Sequence, residues 1–349
     1  MRRLPVFFVL DCSESMAGDK IAKMESGLQS IVRNLRTDPH ALETVYVSVL
    51  AFAGVAKTIV PLVEVVSFYP PKLPLGGGTA LGAALTALMD EMDRSVVRTT
   101  ADRKGDWKPI VYLFTDGRPT DRFRAAISRW NADYAHRATL IAVGIGANAD
   151  LSVLRELTEH VLLFDDAQVE AFSKFVKWVS SSVMAHSKSA GDGVQSDAVP
   201  ILDEKILQIV KEAVPAADDA CVTLVGRCQK SRAPYLIKYD RESGAVNTRD
   251  FAFDVSGYRL SGCYPIGEDY FQWSGTEGAE AKVNTSMLYG SPSCPHCGNA
   301  TAFAACACSK LLCIGGPGEA RCPWCAKNVV FGYASSEDDG GFDVLRGQG

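Results

Sequence analysis

Pro5-Val6-Phe7-Phe8-Val9-Leu10 runs directly into Asp11-Cys12-Ser13-Glu14-Ser15, and the junction between the two decides the fold. The first half lacks polar alternation, as expected of a strand buried on both faces in the middle of a sheet. The second half offers a carboxylate and two hydroxyls where that strand ends. Residues 110–115 (Ile-Val-Tyr-Leu-Phe-Thr) repeat the form and end at Asp116-Gly117. Outward from these junctions, short β-branched and aromatic runs at 45–52, 57–62, 139–144 and 161–164 alternate with helical stretches at 20–35, 81–97, 123–136, 151–158 and 168–184. Strands alternating with helices give βαβ units, hence an α/β fold with a doubly wound, mostly parallel sheet. Only a few residues separate 45–52 from 57–62, so these two form a hairpin. Its second strand is antiparallel at the sheet edge, a place where Pro61 is tolerated.

The 349 residues suffice for two domains. A hydrophobic fraction of 47% and a charged fraction of 22% indicate buried cores and exclude a disordered or collagen-like chain. The 36 Lys plus Arg against 41 Asp plus Glu leave a net charge of -5, which gives no overall attraction for nucleic acid. No apolar stretch is long enough to span a bilayer, so the chain reads as soluble, with no membrane partner. Met1-Arg2-Arg3 before the first apolar run has the outline of a secretory signal. The run stops at Asp11 without a small-residue cleavage site, and a buried first strand is the better reading. Of 11 cysteines, seven fall between Cys294 and Cys325, and the first 220 residues hold only Cys12. Such clustering suits metal binding in a reducing, cytoplasmic compartment rather than a secreted disulfide framework.

Residues 1–186 make up the α/β domain. Residues 187–199 are small, polar and glycine-containing, a flexible linker by composition. Residues 200–334 form a second, smaller, β-rich domain. It opens on a helix at 201–214 and continues with strands at 221–225, 235–239, 250–255 and 287–289 between Gly, Asn and Asp turns. Residues 335–349 read as a flexible tail.

In an open α/β sheet, ligands bind beyond the carboxyl ends of the strands. Asp11, Ser13 and Ser15 stand at one such end and Asp116 at another, while Thr79 follows Gly76-Gly77-Gly78 ahead of an intervening helix. All five are hard oxygen donors of moderate charge, which suits Mg²⁺ or Mn²⁺ with retained waters. Each fragment alone is as well explained as a helix cap or a turn. Their joint occurrence, in this order and at strand ends, argues for a site. The rival is a nucleotide-binding enzyme. Neither Gly-x-Gly-x-x-Gly nor Gly-x-x-x-x-Gly-Lys-Ser/Thr is present, and the glycine run has no nearby lysine to reach phosphates. The five histidines fall mostly in or beside helices with no adjacent nucleophile, so no catalytic residue is assigned and the chain reads as a non-enzyme.

These residues resemble the metal-ion-dependent adhesion site of the von Willebrand factor A family: Asp-x-Ser-x-Ser, a distant Thr, and Asp-Gly after the fourth strand. The resemblance extends over about the first 186 residues and implies that family's Rossmann-like sheet. It also implies that the Ser13 and Ser15 hydroxyls bind the metal directly, and that Asp11 and Asp116 act directly or through water. Thr79 then joins or leaves the coordination sphere with the state of the site. A cation with few direct carboxylates keeps enough positive character to attract an Asp or Glu from a protein partner. Glu14 replaces the Gly common in the family and adds negative charge at the rim.

Cys294-Pro-His-Cys297 and Cys322-Pro-Trp-Cys325 are two Cys-x-x-Cys knuckles. Four thiolates on two tight turns make a closed, structural Zn²⁺ site. A redox dithiol is disfavoured, because such motifs come singly beside βαβ units. Ser309-Lys310 reads as the turn of a hairpin between 303–308 and 311–314, with Cys306 and Cys308 on one face and Cys313 opposite Cys306. These three are either ligands, alone or with His296, or small buried hydrophobes. For Cys308 and Cys313 the ligand reading is preferred. Cys221, Cys228 and Cys263 are isolated and read as core.

This half resembles the metal-binding domain of TerY-type proteins. The matching residues are Cys221–Arg227, Pro234-Tyr-Leu-Ile-Lys-Tyr239, and the run Cys-Pro-His-Cys-Gly … Cys-x-Cys-Ser-Lys-Leu-Leu-Cys … Cys-Pro-Trp-Cys. The N-terminal half fits the same proteins through Met1-Arg-Arg-Leu-Pro-Val-Phe-Phe8, Lys104-Gly-Asp-Trp-Lys-Pro109 and Lys177-Trp-Val-Ser180. The resemblance implies a bacterial tellurite-resistance or stress-response setting, with a serine/threonine protein kinase and a 2C-type protein phosphatase as partners. The expected function is metal-dependent protein–protein interaction in a cytoplasmic complex. The alternatives are a phosphorylated regulator of that kinase and a nucleic-acid-associated factor acting through its zinc ribbon.

Overall fold

A computed structural model describes residues 2–102, 104–116, 118–146, 151–164, 169–191, 208–209, 221–247, 252–275, 281–332 and 341–347. The chain divides into two units, residues 1–74 with 79–216 and residues 75–78 with 217–349.

The first unit runs β1 (Leu4–Asp11), α1 (Asp19–Leu35), α2 (Pro39–Thr44), β2 (Val45–Phe52), β3 (Ala56–Glu64), α3 (Leu81–Ser95) and β4 (Ile110–Thr115). It continues with α4 (Arg124–Asp133), β5 (Thr139–Ile145), α5 (Ser152–Leu157), β6 (Val161–Phe164), α6 (Val169–Gly191) and β7 (Gln208–Ile209). The sheet order is β3-β2-β1-β4-β5-β6-β7. The inner strands are parallel, and β3 and β7 are antiparallel edges. This is the doubly wound, mostly parallel α/β fold expected from the sequence. All eight residues of β1 are buried, because alternate side chains enter two different cores. Phe7 and Val9 join Leu85, Leu88, Trp130 and Leu154 of α3, α4 and α5. Phe8 and Leu10 face Met24, Leu28 and Ile31 of α1 and Val176 of α6. The i, i+4, i+7 spacing of those α1 residues is the stripe a sheet-covering helix needs.

Three local features differ from the sequence reading, and one, at Pro61, refines it. Helix α2, unforeseen, starts where the Asp38 side chain accepts the Ala41 N–H at 3.0 Å, with Pro39 in the first turn. On β3 the register jumps from Val63 to Val60 against Val47 and Val49, so Pro61 sits in an irregularity where no ladder N–H is demanded. Residues 187–191, expected in the linker, belong to α6, and the Ser187 and Thr44 hydroxyls meet at 2.6 Å in its buried face. In the stretch expected as a helix at 201–214, residues 208–209 instead pair with Leu162 and Leu163 as the last strand. The rest of 192–214 lies outside the described residues.

The second unit is the smaller β-rich domain. It contains β8 (Cys221–Arg227), β9 (Pro234–Asn247), β10 (Ala252–Pro265), α7 (Tyr270–Trp273), β11 (Lys282–Asn284), β12 (Leu288–Tyr289), β13 (Thr301–Ala305) and β14 (Leu311–Ile314). After these come β15 (Gly318–Arg321), β16 (Asn328–Phe331) and β17 (Asp343–Leu345). Six strands form one sheet, β12-β10-β9-β8-β14-β13, beside the pairs β11–β17 and β15–β16. Tyr235 anchors it: its ring lies against Gly226, where a Cβ would meet the ring at 2.4 Å, and its hydroxyl donates to the Ala302 carbonyl at 2.6 Å. The expected tail is corrected at its end. Residues 343–345 pair antiparallel with β11, Val344 is buried, and the Gly347 N–H donates to Thr223. The polar run before them masks the apolar Val344 and Leu345 of this strand. Residues 333–340 lie outside the described residues. Among the described residues, no helix is long and apolar enough to cross a membrane.

Candidate metal centres

β1 is flanked by β2 on one side and β4 on the other, so the carboxyl ends of β1 and β4 open onto the switch point where α/β sheets bind ligands. Asp11 ends β1 and is fully buried. One of its oxygens accepts the Ser13 N–H at 2.8 Å and the other accepts the Thr115 hydroxyl. The first of these bonds is an Asx-type turn that folds the chain back over the strand end, into the 3₁₀ turn Glu14–Met16. The Ser13 and Ser15 hydroxyls then meet at 3.0 Å, and Ser15 donates to Asp116 Oδ1 at 2.7 Å. The other Asp116 oxygen lies 2.5 Å from the Nζ of Lys20, in the first turn of α1. Gly18, at φ +88°, allows the sharp entry into that helix.

Asp11, Ser13, Ser15 and Asp116 are thus brought together. Thr79 is held by the loop after β4. Its N–H donates to the Thr120 hydroxyl at 2.8 Å, and its carbonyl accepts the Thr120 N–H at 2.9 Å. The neighbouring Asp121 accepts the Gly82 and Ala83 N–H groups at 3.1 and 2.9 Å, capping α3 from a distant loop. The described hydrogen bonds of Thr79 run to Thr120 and Leu81, not to the other four residues. Glu14, expected at the rim of the site, is buried in the 3₁₀ turn. Burial, reinforced by Asp116, raises the Asp11 carboxyl to about 7 against the pull of its hydrogen bonds from Thr115 and Ser13. Hydroxyls and carboxylates with no nitrogen or sulfur donor fit a small, hard divalent cation, which would relieve this crowding of negative charge.

The second unit holds two groups of four thiols. Cys228, Cys294, Cys297 and Cys313 have their sulfurs within 4.8 Å of one another, and so do Cys306, Cys308, Cys322 and Cys325. Close pairs stand at 3.6 Å (Cys297 and Cys313), 3.7 Å (Cys306 and Cys325) and 3.8 Å (Cys308 and Cys322). A disulfide is about 2.05 Å long. The edge of a tetrahedron with 2.3 Å metal–sulfur bonds is roughly 3.8 Å, so the spacing is that of ligands around an ion.

The grouping corrects the sequence reading, in which the two Cys-x-x-Cys pairs share a site. Cys294 and Cys297 belong to one group, Cys322 and Cys325 to the other. Strand alternation is the reason. On β14, Leu311 and Cys313 enter the core of Val222 and Tyr235, whereas Leu312 enters the core of Ala304 and Cys322. The hairpin register pairs Ala304 with Leu312 and Ala305 with Leu311, so Cys306 lies at the turn and is not opposite Cys313. Ser309 holds that turn at φ +61°.

Cys228, read from the sequence as core, is the member of its thiol group that spacing misses. The Cys294 N–H donates to the Asn299 carbonyl while the Gly298 N–H donates back to Cys294. Cys322 repeats this with Lys327 and Ala326, and Cys228 repeats it with Ala233 and Arg232. The residue four on from each cysteine has positive φ: +73° at Gly298, +60° at Ala326 and +61° at Arg232. Cys228 therefore begins a third knuckle, with Ser231 where the other two carry their second cysteine. A rule that looks for Cys-x-x-Cys cannot see it.

Burial opposes ionisation of Cys228, yet the Ser231 hydroxyl and N–H and the Lys230 N–H bring its thiol down to about 6. In the other group the Lys327 N–H leads in holding Cys325 down to about 7. Burial raises Cys294, Cys306, Cys308, Cys313 and Cys322. Sulfurs this close cannot all be thiolates unless a cation compensates them. His296 bonds to the Pro234 carbonyl at 2.8 Å and stands outside both groups, as do Cys221 and Cys263.

Comparison with known proteins follows the same division. The family model of the von Willebrand factor type A domain matches residues 6–177, and that of the TerY-C metal binding domain matches residues 218–349. No curated protein sequence matches the chain. Among solved structures, proximal thread matrix protein 1 from the mussel byssus, described with a zinc occupied MIDAS motif, is 19% identical at a TM-score of 0.38, covering 52% of this chain and 48% of that one. A von Willebrand factor type A protein from Catenulispora acidiphila is 18% identical at a TM-score of 0.42, covering 76% and 55%. The ArnB paralog VWA2 from Sulfolobus acidocaldarius is 13% identical at a TM-score of 0.38, covering 95% and 64%. The chain spans about half the length of the mussel and Catenulispora proteins. Both halves of the chain have a family: residues 6–177 belong to the von Willebrand factor type A domains and residues 218–349 to the TerY-C metal binding domains.

Proposed function

We propose that the first unit is a non-enzymatic, metal-dependent protein-recognition module. Asp11, Ser13, Ser15, Thr79 and Asp116 would hold Mg²⁺ or Mn²⁺, and the ion would supply an electrophilic centre for an Asp or Glu of a protein partner. The observation that carries this reading is the run of contacts from Ser13 to Ser15 to Asp116 at the switch point of the sheet. Von Willebrand factor type A domains are interaction modules, which supports it. In the second unit, both thiol groups would bind Zn²⁺ as closed structural sites. The TerY-type resemblance extends the proposal to a cytoplasmic bacterial stress-response complex of the tellurite-resistance kind. Its partners would be a serine/threonine kinase and a 2C-type phosphatase rather than nucleic acid or membrane.

The test is Asp116→Ala. The variant should stay folded, because the sheet and its two cores do not depend on this side chain. It should lose Mg²⁺-dependent capture of the kinase or phosphatase from lysate of the source cell. Capture that survives in the variant, or in the wild type when Mg²⁺ is withheld, would overturn the adhesion reading.

A further inference from the structure

The ion pair between Lys20 and Asp116 has no part in the recognition just described. We infer that Lys20 is a tethered cation that competes with the divalent ion for Asp116, so that the site loads only above a threshold of free Mg²⁺. The inference rests on the metal reading of this site. The Asp116 side chain is 2% exposed, and a carboxylate so enclosed requires a countercharge. Lys20 supplies it: Nζ lies 2.5 Å from Oδ2, while Oδ1 accepts the Ser15 hydroxyl at 2.7 Å. Asp11 is likewise satisfied by the Ser13 N–H and the Thr115 hydroxyl. Both carboxylates are therefore paired before any metal arrives.

A divalent ion bonded to Asp116 would stand a few ångströms from the ammonium, and repulsion between the two is strong in so dry a place. The lysine has a route of retreat. It lies in the first turn of α1 with its side chain 22% exposed, and its stem lines an apolar cavity with Phe8, Leu10, Met24 and Phe114. The four methylenes can stay covered while the ammonium swings to water.

The test is Mg²⁺ binding by calorimetry on the full, zinc-loaded chain, comparing wild type with Lys20→Met and Lys20→Arg. Lys20→Met should bind Mg²⁺ about tenfold more tightly and its first unit should melt lower without Mg²⁺, while Lys20→Arg should stay near wild type. A second readout needs no variant. Amine acylation of the wild type, read by mass spectrometry, should rise severalfold at Lys20 on adding Mg²⁺ and stay level at Lys23. Equal or weaker Mg²⁺ binding by Lys20→Met, or Lys20 labelling indifferent to Mg²⁺, would overturn the competition alone. Absence of Mg²⁺ binding in all three proteins would overturn the metal reading, and the inference with it.

Discussion

The oxygen cluster and the thiol groups are built in opposite ways. Asp11, Ser13 and Asp116 stand at the ends of strands whose packing is complete without them; Phe7, Phe8, Tyr112 and Trp130 are all almost wholly buried behind the site. In the second unit the clustered thiols are the core. Cys228, Cys294 and Cys313 belong to one apolar cluster, and Cys306 and Cys322 to another that, among the described residues, has only Ala304 and Leu312 as further buried members. A site set on a finished fold can lose its ion and keep its shape. A site that substitutes for a core cannot.

The largest effect expected from this contrast is the loss of zinc. Structural zinc in small finger peptides supplies on the order of 10–16 kcal/mol, nearly all of it folding energy. Stripping zinc with a strong chelator, or changing Cys294 or Cys322 to Ser, should open residues 217–349 to limited proteolysis while a fragment near 1–216 survives. Metal analysis of the untreated protein should find two zinc ions per chain. A zinc-free second unit that still resists protease would erase the contrast.

A narrower effect separates the cysteines themselves. Cys228→Ser should lower the zinc content from two to one, because it removes a ligand from a closed set. Cys263→Ser, outside both groups, should retain two. Two zinc ions retained by Cys228→Ser would return that residue to the role of a buried hydrophobe.

The smallest effect is one of pH. With its pKa raised from 3.8 to about 7, Asp11 contributes stability that is complete below about pH 4 and is lost as pH rises through 7. The metal-free first unit should therefore melt higher at pH 5 than at pH 8. Mg²⁺ competes with the same proton, so its affinity should fall by up to about tenfold per pH unit below 7 and level off above it. Affinity that stays flat from pH 5 to 8 in calorimetry would remove Asp11 from the site.

What could be read in advance follows the same line. Strands β1 and β4 announce themselves because each is buried throughout, and Asp11, Ser13, Ser15 and Asp116 are legible because they directly follow those strands. Thr120, Asp121 and Lys20 are not, since each acts on a loop or strand end far from it in the chain. Cys228 is hidden by Ser231, and β17 by the acidic run before it. The thiol grouping is decided by which face of β14 each of Leu311, Leu312 and Cys313 takes, a tertiary choice that spacing along the chain does not encode.

The alternation along β14 carries one more consequence. Sliding this strand by a single residue against its neighbours would turn every side chain to the opposite face, taking Cys313 away from its three companions. With an ion in each thiol group, the domain would proofread its own threading: a misaligned hairpin cannot complete both sets, and a completed one cannot slip without breaking a metal–sulfur bond. In evolutionary terms the segment from Cys306 to Cys313 is closed to single-residue insertion or deletion.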